Sequence, residues 1–147
     1  MTPSLVAFNE RGKGKLPAYL GIVFTQSERS ALCAELELKD FHMAPNGFLH
    51  AGSVVTLADT TCGYGCFANL PDGATGFTTI ELKSNHLGTA REGTILSRAT
   101  PSMAPARLIF GIHCRAKYYP VAIRSRRPYD AVIQDPSADR LAFVFVL

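Results

Sequence analysis

The chain has 147 residues, enough for one domain with a core of ordinary size, and 47% hydrophobic with 18% charged residues are globular proportions. The formal net charge is +3, but the basic residues are dispersed and no aromatic platforms lie among them, so nucleic-acid binding is not expected. No apolar run nears the roughly 20 residues that span a bilayer, and MTPSLVAFNERGKGK lacks the apolar stretch of a secretory signal. The expectation is a cytoplasmic protein without membrane association.

Residues 1–15 read as a loosely held N-terminal tail, and 16–147 as a single domain. LPAYLGIVFTQ offers a short helical turn leading into a first strand. SALCAELELKD then alternates, with Leu32, Ala34, Leu36 and Leu38 on one side and Cys33, Glu35, Glu37 and Lys39 on the other. That is the pattern of a half-buried antiparallel strand. HMAPNGFLHAG is a loop by its Pro-Asn-Gly content. From about Ser53 to Leu70 the period changes to helical. Val54, Ala58, Thr61, Cys62, Gly65 and Cys66 form one stripe, small enough for a helix to lie close against a sheet.

After NLPDGATG, FTTIELKSNHL reads as a strand, GTAREG as a turn, and GTILSRAT as the start of another strand. RRPYDAVIQDPSADRLAFVFVL reads as two final strands joined at DPSAD. A strand, one long helix and then a run of antiparallel strands predict an α+β architecture, a sheet wrapped on one helix. Cys33, Cys62, Cys66 and Cys114 show no paired zinc spacing, so no metal site is expected and buried thiols are the better reading. RSRR at 124–127 fits a solvated turn or a phosphate contact equally.

His50 and Asp59, nine residues apart in PNGFLHAGSVVTLADTT, look at first like an acid–base pair. Along a helix that spacing puts them on opposite faces and roughly 13 Å apart, so they cannot share a proton within one chain. Each end has its own chemistry. Free N–H groups at a helix start, reinforced by the dipole, stabilise an anion such as an oxyanion. A carboxylate partway along a small, apolar helix can act as general base or nucleophile. It can equally be held by Thr60, Thr61 or a neighbouring strand. A shared site would take its two ends from two chains.

NGFLHAGSVVTLADT followed by GFTTIELKSNHLGTAREGT closely resembles the hotdog-fold acyl-CoA thioesterases of the phenylacetate-degradation (PaaI-like) group. The family pattern is Gly-x-x-His-Gly-Gly, a helix carrying Leu-Ala-Asp, and a strand ending Asn-x-Leu before a Gly-terminated turn. Gly47, His50, Leu57, Ala58, Asp59, Asn85, Leu87 and Gly93 fall in step with it, and the match covers about residues 16–100. The resemblance implies a hotdog fold and a homodimer or homotetramer with active sites between subunits. It implies hydrolysis of an acyl-CoA without a cofactor. Asp59 would be the catalytic carboxylate, the Ala51 N–H would polarise the thioester carbonyl, and His50 would shape that turn. Gly52, Thr60, Asn85 and Arg91 are expected against the substrate, Arg91 at a phosphate of coenzyme A.

There are departures from the pattern. Ala51 stands where the first family glycine usually sits, a penalty if that site needs φ > 0. Ala44 replaces the Asn or Gln that many relatives carry six residues before the histidine; Asn46 or His42 would have to take over. Gly63 stands four residues after the acid, where some relatives have Ser or Thr, leaving Thr60 as the substitute. Residues 101–125 read as an insertion, the other reading being that they replace the penultimate strand. These departures motivate a rival reading, a non-catalytic acyl-CoA-binding or scaffold protein.

Overall fold

The computed structural model describes residues 3–28, 30–70, 73–84, 86, 88–103, 109–119 and 140–146. Six strands form one sheet. In chain order they are β1 (Ile22–Glu28), β2 (Ala31–Glu37), β3 (Thr78–Lys83), β4 (Thr94–Met103), β5 (Ile109–Tyr119) and β6 (Arg140–Val146). Across the sheet the order is β1-β2-β4-β5-β6-β3, and every pairing is antiparallel. The principal helix, here α3 (Ala51–Ala68), packs against β2, β4, β5, β6 and β3, giving the expected α+β fold of one long helix on a sheet.

The alternation read in β2 holds: Leu32, Ala34 and Leu36 are buried, while Cys33 and Glu35 are half-buried and Glu37 is exposed. The small residues of α3 do what close packing requires. Ala58, Cys62 and Cys66 form a buried cluster with Ala99 of β4, against which Val54, Phe77 and Leu82 pack. The buried face is wider than the predicted stripe, taking in Ser53, Leu57, Thr60 and Gly63 as well. A helix buried over most of its circumference is one enclosed by its sheet.

Two expectations change. The N-terminal stretch contains a helix, α1 (Leu5–Arg11), rather than a loose tail only. Ser4 caps it, its Oγ accepting from the Ala7 N–H at 3.2 Å. Phe8 is 1% exposed, packs at a tilt against Phe24 and stacks with Tyr64, at centroid distances of 5.5 and 5.9 Å. Asn9 pairs with the β1 backbone at Phe24, donating from Nδ2 to its carbonyl at 3.2 Å and accepting from its N–H at 2.8 Å. That side-chain amide occupies backbone groups of an edge strand, beside the bulge between Phe24 and Gln26. The short helical turn expected next is α2 (Leu16–Tyr19). At the other end, residues 109–119 do not form an excursion from the sheet. They are β5, in register with β4 from Thr94↔Tyr119 to Met103↔Phe110 and paired with β6 on the far side. This is the penultimate-strand alternative. The first of the two expected C-terminal strands falls outside the described residues; the second is β6.

Cys66 is 4% exposed, and burial pushes its thiol up to about 12. Alkylation needs the thiolate. With iodoacetamide at pH 8, peptide mass mapping should therefore find half-exposed Cys33 modified well before Cys66. Prompt labelling of Cys66 in the native protein would show that α3 is not seated as described.

Candidate active site

The helix α3 begins directly after the loop Met43–Leu49, which is closed by a bridge between those two residues. Within it, the Ala44 N–H donates to the Phe48 carbonyl at 2.7 Å, and Gly47 takes the left-handed φ of 78° that the turn requires. Asn46 Oδ1 accepts from the Phe48 N–H at 3.2 Å, so this oxygen shapes the turn.

His42 fixes this loop from below. It is fully buried, and its Nδ1 lies 2.9 Å from the Lys39 N–H, which can only donate. Nδ1 is therefore the acceptor, and Nε2 carries the proton given to the Leu20 carbonyl at 2.9 Å. Its own carbonyl accepts from the His50 N–H and from Ser53 Oγ, both at 3.0 Å. Both ring nitrogens are thus engaged within the chain, so His42 positions the start of α3 and does not take over a polar role toward substrate. Replacing His42 with Leu would leave the part-buried Lys39 N–H and Leu20 carbonyl without these partners. The expected loss is about 2–3 kcal/mol, read as a lower urea midpoint at unchanged m-value.

His50 is the N-cap of α3, with φ −66° and ψ 129°, and its Nδ1 accepts from the Gly52 N–H at 2.9 Å. A Cβ at Gly52 would lie 2.8 Å from that nitrogen, so the imidazole cap requires glycine there. The Ser53 N–H goes to the His50 carbonyl at 2.9 Å. Of these first three N–H groups, only that of Ala51 has no acceptor among the described residues, and Ala51 is exposed. Ala51 is also the first residue of the α-helix, so its Cβ meets no left-handed backbone and carries no penalty. The 88–93 turn docks alongside. Thr89 Oγ1 accepts from the Leu49 N–H at 3.0 Å, and the Arg91 guanidinium lies 5.3 Å from the Phe48 ring centroid.

Asn46, His50, Ala51, Gly52 and Arg91 are thus gathered at one end of α3, with the Gly52 N–H committed to His50. Asp59 is not with them; the helical rise sets it roughly 13 Å further along. It is half-buried, and its Oδ1 accepts from Thr79 Oγ1 of β3 at 3.1 Å. Thr60, the expected neighbour of substrate, is only 8% exposed and turned about 100° from Asp59 around the helix. Asn85 lies outside the described residues. Sequence reasoning missed Thr79, whose contact with Asp59 spans twenty residues of chain. One end of α3 therefore offers an N–H with no acceptor among the described residues and a cation nearby, and its middle offers a carboxylate.

Comparison with known proteins places the chain in a family and a fold. Residues 46–110, from the loop before α3 into β5, match the family model of the thioesterase superfamily. Over 101 residues the chain is 30% identical to the 1,4-dihydroxy-2-naphthoyl-CoA hydrolase of Escherichia coli K12, covering 67% of this chain and 71% of that protein. The matched stretch covers about two thirds of the curated relatives' own length, 65% in one and 71% in another. Among solved structures, a mutant thioesterase of Pseudomonas aeruginosa is similar with a TM-score of 0.75 at 22% identity, covering 99% of this chain and 96% of that one. A phenylacetic acid degradation-related protein of Ralstonia eutropha gives 0.66 at 19% identity, covering 98% and 100%. At these identities the structures establish the shared fold.

Proposed function

The chain belongs to the thioesterase superfamily, and from that membership we propose that it hydrolyses an acyl-CoA to the free carboxylic acid and coenzyme A at a site built from two copies of itself. The observation that carries this reading is the division of labour on α3. Its start holds, at exposed Ala51, an N–H without an acceptor among the described residues, and a half-buried carboxylate stands nine residues after the cap. In a dimer the Ala51 N–H of one copy and Asp59 of the other face the same thioester.

The N–H donates to the thioester carbonyl and stabilises the oxyanion as it forms. Asp59 either takes a proton from the attacking water or attacks the carbonyl carbon itself, giving an anhydride that water then opens. In both routes the C–S bond breaks, the thiolate leaves and is protonated to coenzyme A, and the acyl carbon gains oxygen from water. Carboxylate, N–H and water are sufficient for this chemistry, so the proposal includes no metal or redox cofactor. Arg91 contacts a phosphate of coenzyme A, and the enzyme works in the cytoplasm. No helix among the described residues is long and apolar enough to cross a membrane.

Ala44 favours a second reading. Where many relatives present an amide it contributes no polar side chain, its N–H being used in the loop. The second reading is a protein that binds acyl-CoA without hydrolysing it. A panel of acyl-CoA thioesters with a free-thiol readout decides. Thiol release from at least one thioester supports hydrolysis, and tight binding without release from any of them supports the binding protein.

A further inference from the structure

Among the described residues, Asp59 accepts one side-chain hydrogen bond, from Thr79 at 3.1 Å, and β3 is arranged around that bond. In the pairing of β3 with β6, Thr79 stands opposite Phe145 and Glu81 opposite Val144, so Ile80 is the extra residue of a bulge directly after Thr79. A bulge bends its strand, raises the local twist and re-aims the neighbouring side chain.

On the other side of Thr79, Phe77 seats on α3 at Gly63. A Cβ there would stand 3.0 Å from the ring Cζ and 3.2 Å from Cε2. Gly63 is four residues after Asp59 and so lies one turn along on the same face. The ring also packs against the buried cluster of Ala58, Cys62, Cys66 and Ala99. A side chain at Gly63 would have to push the Phe77 ring back by a few tenths of an ångström, and the hydroxyl that reaches Asp59 comes from the strand.

We propose that Thr79 is a positioning residue for the Asp59 carboxylate. The bulge at Ile80 and the seat of Phe77 on Gly63 hold the Thr79 hydroxyl on Oδ1. This fixes the plane of the carboxylate and presents Oδ2 to water or the thioester. The role rests on the thioesterase reading above and sharpens it, assigning the two carboxylate oxygens different tasks. An exposed hydrogen bond of this kind adds little to stability, whereas a reacting group must be held within about 10–20° of its productive orientation.

The test is steady-state hydrolysis of the thioester the wild type turns over fastest, comparing wild type, Thr79→Val and Thr79→Ser by free-thiol release. Valine keeps the shape and removes the hydroxyl; serine keeps the hydroxyl. Thr79→Val should lower kcat roughly tenfold with KM within about twofold, and Thr79→Ser should stay within about twofold of wild type in both. Wild-type kcat in Thr79→Val, or equal losses in the two variants, overturns the role of Thr79 while the thioesterase reading stands. A wild type that releases no thiol from any thioester overturns that reading and this role together.

Discussion

Asp59→Asn is expected to abolish nearly all of the proposed thioester hydrolysis, lowering kcat by roughly 10²–10⁴-fold, with the protein still folded and eluting as the wild type does. The reason lies in what the substitution spares. Asparagine fills the same volume, and its Oδ1 still accepts from Thr79, the side-chain bond of Asp59 within the described residues. The half-buried position is not one where loss of a charge leaves a buried partner unsatisfied. What disappears is the anionic oxygen that takes a proton or attacks carbon. Melting temperature and elution volume should match the wild type, and the free-thiol assay should show the loss. Turnover within tenfold of wild type in a correctly assembled Asp59→Asn protein would remove Asp59 from the chemistry.

Legibility in the sequence followed the range of the interactions involved. The strand β2 was readable because burial alternates residue by residue along Leu32, Ala34 and Leu36. The long helix was readable because its small residues recur at helical spacing, and its observed start at Ala51 lies two residues before the expected one. The helix α1 left no such trace: one buried residue, Phe8, in seven sets no period. Its remaining ties, the Asn9 amide on the Phe24 backbone and the aromatic stack with Tyr64, are contacts at long separation. The same limit applied at the candidate site. The residues at the start of α3 lie within one loop and one turn, so their grouping was visible as a motif. The link from Asp59 to Thr79 depends on a bulge and on Phe77 resting on Gly63, neither of which has a local pattern. Gly63 stood out in the sequence only as a departure from the Ser or Thr of some relatives; the aromatic ring against it gives the glycine a packing reason. For residues 109–119 the strand-like composition was legible, but their place in the sheet was set by pairing with β4 and β6.

Ala51→Pro removes one hydrogen-bond donor and leaves the helix standing, and it should lower kcat by roughly 10²–10³-fold. Proline suits the first residue of a helix, where its fixed φ is already helical and the missing N–H has no intrahelical partner. It also restricts the preceding residue to extended backbone, and His50 is already there at φ −66° and ψ 129°. No hydrogen bond among the described residues is lost, because the Ala51 N–H makes none. The variant therefore isolates the oxyanion donor from the fold, and paired with Asp59→Asn it also tests where the site is. In a heterodimer purified through two tags, one chain lacks the Ala51 N–H and the other lacks the Asp59 carboxylate. If each site draws its donor from one copy and its acid from the other, one of the two sites has both groups intact. The heterodimer should then recover about half the wild-type turnover although both parent homodimers are nearly inactive. If both groups instead served a site within one chain, every site in the heterodimer would lack one of them. A heterodimer as inactive as its parents would thus sink the shared site, and the roughly 12 Å that helix geometry sets between the two groups would need another explanation.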